Sequence, residues 1–101
     1  MIIEKLMRGT TAVIQLQGQF DHSTSQKFQS AIRDVFANNS MNEIEVDLGG
    51  VDYIDSSACG MLLFLGNKAG QSGKTVALVG AKGAVKNVLK IMNFERLFAI
   101  K

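Results

Sequence analysis

Apolar residues recur along this chain with two periods, one of two residues and one of three to four, and the alternation between them outlines the elements. Ile3, Leu6, Val13, Ile14 and Leu16 are strand formers on either side of Arg8-Gly9-Thr10. They predict strands from Ile2 to Met7 and from Thr11 to Gln17, folded back as a hairpin at a sheet edge. Phe28, Ala31, Ile32, Val35 and Phe36 then repeat at helical spacing and share one face of a helix from about Thr24 to Ala37. Ser23-Thr24-Ser25-Gln26 has the form of a capping box that would start it.

Alternation resumes in Ile44, Val46 and Leu48, set between Glu43, Glu45 and Asp47, and predicts a third strand that Gly49-Gly50 closes. The run Met61-Leu62-Leu63-Phe64-Leu65 is apolar nearly all round, so its period alone does not separate strand from helix. A serine before it, Gly70 after it and the helix propensity of Leu and Met favour a helix from Ser57 to Ala69. Thr75 to Val79 reads as a fourth strand. Gly83 opens a third helix with its stripe at Val85, Val88, Leu89 and Met92, ending near Asn93, and Phe94 to Ile100 supply a turn and a short last strand.

Strands alternating with helices imply right-handed crossovers and an α/β fold. The expectation is a single domain over residues 1–101. It has a mostly parallel central sheet of four to five strands, an antiparallel edge strand, and helices packed against the sheet. In open α/β sheets, functional loops lie beyond the carboxyl ends of the strands. Two stretches qualify, Gly18 to Ser23 and Gly49 to Ser57, and neighbouring strands would bring Asp21 close to Asp55 and Ser56.

Composition changes this picture little. At 101 residues, 47% hydrophobic and 20% charged, the chain can bury one core and is not disordered. Its single cysteine, Cys59, allows no internal disulfide and fits a reducing cytoplasm. No signal-like segment opens the sequence and no apolar run approaches the ~18 residues of a membrane span, so a soluble cytoplasmic protein is expected. Charge is uneven: residues 1–60 carry 4 basic and 8 acidic side chains, residues 61–101 carry 7 and 1. A solvated face is the ordinary reading of such lysines.

Most candidate chemistry fails on spacing. Gly70-Gln71-Ser72-Gly73-Lys74-Thr75 has Lys68 where a phosphate-binding loop needs its first glycine, and it precedes a strand rather than a helix. A hydrolase would have to join Ser56 to His22, the one histidine, with Asp21 or Asp55 as third member, and no nucleophile-elbow motif surrounds Ser56. Cys59 sits among apolar neighbours and reads as an inert core thiol. One His and one Cys make a poor metal set. Lys82, Lys86 and Lys90 lack the arginine and aromatic partners of a nucleic-acid surface.

What remains is Asp55-Ser56-Ser57 at the start of a helix, where serine is a favoured cap and an anion is well placed. Phosphorylation of Ser56 would add about −1.5 to −2 charge to a surface already acidic. Ser57 is the expected cap.

With those residues in place, the chain resembles a STAS domain of the bacterial anti-sigma factor antagonist type over nearly its whole length. Gly18-Gln19-Phe20-Asp21 stands where that family shows Gly-Glu-Leu-Asp. Val51 to Gly60 stands where it shows a hydrophobic lead into Asp-Ser-Ser/Thr-Gly-x-Gly, with Ala58 in place of the first of those glycines. The resemblance implies phosphorylation at Ser56 and a partner surface of Asp21, Asp55, Ser56, Ser57 and Gly60. It implies an anti-sigma factor or related serine kinase of the histidine-kinase-like ATPase fold as partner, with a serine phosphatase restoring the free form. No catalytic residue, cofactor, metal, nucleic acid or membrane is expected, and a monomer is the default. A STAS scaffold or ligand-binding module without phosphorylation is the alternative.

Overall fold

Strand-forming residues either side of a left-handed Gly9 (φ +60°) make the predicted hairpin, β1 (Ile2–Arg8) and β2 (Thr11–Phe20), paired antiparallel from Ile2 and Gln17 to Arg8 and Thr11. The computed structural model describes residues 1–101, and in it a 3-10 turn (His22–Thr24) follows β2 and leads into α1 (Ser25–Phe36). The remaining elements are β3 (Glu43–Ile54), α2 (Ser56–Gln71), β4 (Thr75–Val79), α3 (Gly83–Ile91), a second 3-10 turn (Phe94–Arg96) and β5 (Ala99–Ile100).

The five strands lie in the order β1-β2-β3-β4-β5, parallel from β2 onward. Each crossover therefore steps to the next strand on the same side. Right-handed connections in a constant direction place all their helices on one face of the sheet. Burial agrees: Ala12, Ile14, Leu16, Ile44, Val46, Leu48, Val76 and Leu78 alternate inward and join Ile32, Leu62, Leu65, Val85 and Leu89 of the helices in one core. The other face is open, and Glu43, Glu45 and Asp47 point to it, with Gln15 and Glu4 in register beside Asp47.

Three local expectations are corrected. Gly49-Gly50 does not close β3, which runs on to Ile54; neither glycine has a positive φ. A Cβ on Gly50 would lie 2.9 Å from the carbonyl oxygen of Leu16, so this glycine lets β3 pass close to β2 where the register shifts. Second, β2 extends past Gln17 to Phe20, with Gly18 at φ +105° inside the irregular stretch. Third, the expected Ser23–Gln26 capping box does not form. Thr24 precedes α1 without a side-chain cap bond, and the box that exists joins Asp21 and Thr24 across the 3-10 turn.

Aromatic packing fixes both ends of the crossovers. Phe20, at the tip of β2, packs on Phe28 of α1 with ring centroids 4.9 Å apart, which holds the β2–α1 turn against the core. Asn93, left-handed at φ 57°, ends the α3 segment and sends the chain into the Phe94–Phe98 pair, 5.4 Å between centroids. Phe98 in turn lies under α2 at Gly66, where a Cβ would stand 2.8 Å from its ring. No helix is long and apolar enough to cross a membrane.

Candidate functional site

Because β2 and β3 are adjacent and both extend further than their periodicity suggests, their ends meet: Gln19 pairs with Tyr53 and Phe20 with Ile54. Beyond them the two chains turn into helices within one residue of each other. The backbone N–H of Asp55 donates to the carbonyl of Phe20 at 3.3 Å, and the N–H of His22 donates to Asp55 Oδ2 at 3.1 Å. One carboxylate thus ties the second turn to the first.

The other oxygen of the same carboxylate caps the helix. Asp55 is the N-cap of α2, extended at φ −109°, and its Oδ1 accepts from the Ala58 N–H at 2.9 Å. Ser57 is not the cap, contrary to expectation: Ser56 and Ser57 occupy the first two helical positions. Aspartate is as good a cap as serine and adds a charge that the positive helix end favours. The consequence for Ser56 is that its hydroxyl is exposed and not committed to capping.

Asp21 is held in the same way on the neighbouring turn. Its Oδ1 accepts from the N–H of Ser23 at 3.0 Å and from the Ser23 hydroxyl at 2.6 Å, while Thr24, the one buried polar side chain, donates its hydroxyl to the Asp21 carbonyl at 2.8 Å. His22 enters the network through its backbone, not its imidazole. Asp52 and Tyr53 are exposed on the last turn of β3, Tyr53 at 51%. The end of the sheet thereby brings the Asp21 turn and Asp55 together at the head of α2, where Ser56 begins the helix, with Asp52 exposed three residues before Asp55 on β3.

Along α2 the exposed line runs from Ser56 and Ser57 to Gly60 and Phe64. Gly60 has nothing within 4 Å of where a Cβ would stand. A mid-helix glycine costs ~1 kcal/mol relative to alanine, and here no internal packing requires it. Cys59 faces inward; burial, followed by the nearby Asp55 charge, pushes its thiol pKa up, which favours the thiol over the thiolate. Sequence reasoning missed Asp55 as cap and tie, since Asp-Ser-Ser offers three adjacent capping residues and only the end of β3 decides which one lies outside the helix.

The fold is thus a one-sided α/β sheet with a helix head at the end of β3, and comparison with known proteins gives its family. The family described as "Mlab, STAS domain" matches residues 4–99, and the chain belongs to it. A STAS-domain containing protein of Pseudomonas aeruginosa (strain UCBPP-PA14) is 39% identical over 92 residues, covering 91% of this chain and 89% of that protein. Among solved structures, a putative anti-sigma factor antagonist from Thermotoga maritima superposes with a TM-score of 0.87 at 23% identity, over 97% of this chain and 84% of that one. The Bacillus cell fate determinant SpoIIAA in its phosphorylated form gives 0.76 at 17%, over 99% and 91%. Several of the solved structures that share this fold are anti-sigma factor antagonists, and a sulfate transporter family protein from Wolinella succinogenes shares it too.

Proposed function

We propose that this domain is a partner-switching regulator and not an enzyme: unphosphorylated, it binds an anti-sigma factor or related serine kinase, and phosphorylation of Ser56 releases it. The observation that carries the reading is the division of labour at the head of α2. Asp55 takes the cap and the inter-loop bond, which leaves Ser56 exposed and uncommitted directly after one carboxylate and next to the turn that carries Asp21. A fold resembling a protein whose structure is known in a phosphorylated form supports it.

The energetics fit a switch. A phosphate at the first turn is favoured by the helix dipole by ~0.3 to ~2 kcal/mol, so the fold tolerates it. The same charge, added to an acidic surface, need cost only ~1.4 kcal/mol at the interface for each tenfold loss of affinity. Asp21, Asp55, Ser57 and Gly60 form the rest of the contact surface, Gly60 by admitting a partner's backbone. A serine phosphatase resets the switch.

The test is incubation with the cognate kinase and ATP, followed by intact-mass measurement and binding. One phosphate at Ser56, release of the kinase, and weak binding by Ser56→Asp are expected. Phosphate at another residue, or full-strength binding by Ser56→Asp, overturns the reading; absence of any phosphate in protein from its native cell favours a constitutive scaffold. Ser56→Ala stays bound and keeps its stability within about 1 kcal/mol, because the cap is Asp55.

A further inference from the structure

The outer line of α2 does not end at Gly60. Two turns beyond Ser56, about 12 Å along the helix, Phe64 stands 55% exposed although it belongs to the most apolar run of the chain. It does not stand alone. Phe64 and Lys68 of α2 face Gln29, Ile32 and Arg33 of α1 across a groove of about 460 Å³. Ile32 is buried and forms an apolar floor.

Each wall carries a cation outside any ion pair. The chain's two ion pairs are Lys5–Asp34 and Arg8–Glu45, so neither Arg33 nor Lys68 has a carboxylate partner. Lys68 lies over the Phe36 ring, 5.0 Å from its centroid, which orients its ammonium beside the groove. The surface is therefore dipolar: Asp21, Asp52 and Asp55 at the Ser56 end, Arg33 and Lys68 at the Phe64 end.

From this juxtaposition we infer that the α1–α2 groove is a second contact of the switch surface and receives an acidic amphipathic helix of the partner. One apolar side chain of that helix enters between Phe64 and Ile32, and carboxylates on the adjoining turns pair with Arg33 and Lys68. The inference rests on the partner-switching reading and adds to it the chemistry of the partner. An amphipathic helix docks by laying apolar side chains at helical spacing into such a groove. The opposite charges of the two ends fix its direction, and phosphate on Ser56 strengthens only the acidic end.

Two experiments test the groove. In the first, the 15N-labelled protein is titrated with a 14-residue helical peptide that carries a central leucine flanked by glutamates, and with its twin in which lysine replaces each glutamate. Saturable shifts at Ile32, Arg33, Phe64 and Lys68 with the acidic peptide alone are expected. Phe64→Ala should weaken binding at least tenfold, and Arg33→Glu with Lys68→Glu should transfer binding to the lysine twin. No shifts at millimolar acidic peptide, equal binding of both peptides, or a groove that takes up vesicles of phosphatidylglycerol instead of the peptide would each overturn the inference.

In the second, affinity for the serine kinase is measured for Phe64→Ala and Ser56→Asp side by side. A tenfold or greater loss in both is expected. Loss in Ser56→Asp alone overturns the groove and leaves the switch; loss in Phe64→Ala alone leaves the groove and overturns the switch. Phe64 is a surface residue, and an unchanged melting temperature for Phe64→Ala confirms that binding, not folding, is being read.

Discussion

Two glycines six residues apart in one helix have opposite reasons for being there. Gly66, half-buried, answers to internal packing: a Cβ at that position would collide with the Phe98 ring, and the absence of a side chain lets the C-terminal segment pack beneath α2. Gly60 meets nothing in the chain. The C-terminal half of α2 is thus shaped by what lies under it. The N-terminal half, from Ser56 to Phe64, carries a glycine, spare hydroxyls and an exposed aromatic that no internal packing requires, and the proposed partner surface gives them a use.

Substitutions can break this contrast. The largest effect is expected at Gly66→Val, where three carbons must be fitted against a buried aromatic pair; overpacking of this kind should cost about 3 kcal/mol, read as a loss of urea midpoint at constant slope. A neutral result would mean that Phe98 moves freely and that Gly66 is no more structural than Gly60. Next comes Asp55→Ala, which removes the α2 cap and the tie to His22 and should cost about 1 to 2 kcal/mol, while Asp55→Asn, an equally good cap, costs much less.

Gly60→Ala should act in the opposite direction, raising the stability of the free domain by about 1 kcal/mol through helix propensity while weakening the partner complex. Stabilisation without loss of binding would remove Gly60 from the contact surface. The smallest effect belongs to a pair far from either glycine. The Lys5 ammonium, hydrogen-bonded to Asp34, holds that carboxyl below its ordinary value of 3.8. A carboxyl with a depressed folded pKa contributes stability above its ordinary value and loses it as pH falls through the lowered one. Since both groups are exposed, Lys5→Ala should return the Asp34 titration to its ordinary range by NMR and leave the melting temperature near neutral pH almost unmoved.

The same distinction between internal and external reasons explains what could be read in advance. Helix α1 was legible because Phe28, Ala31, Ile32 and Val35 repeat on one buried face, and β1, β2 and β4 because their residues are strand formers between clear turns. The glycines misled. Gly49-Gly50 looks like a strand end in one dimension, but Gly50 serves a close approach to Leu16 that exists only once β2 and β3 are paired. The Ser23–Gln26 box was plausible by type and spacing, yet Asp21 holds the turn before α1 because Phe20 is packed on Phe28 one residue earlier.

By itself, the order of residues determined the α/β alternation, the inward faces and the Asp55-Ser56-Ser57 tip, because periodicity and capping preference act over one or two turns of chain. Which of those three residues is the cap, and so which hydroxyl is left spare, was decided by the tertiary structure. The register of β3 against β2 carries the strand to Ile54 and sets Asp55 beside Phe20 and His22, and no local preference contains that distance. The groove beside Phe64 has the same origin: Arg33 and Lys68 lie 35 positions apart and come to line one groove only when α1 packs on α2.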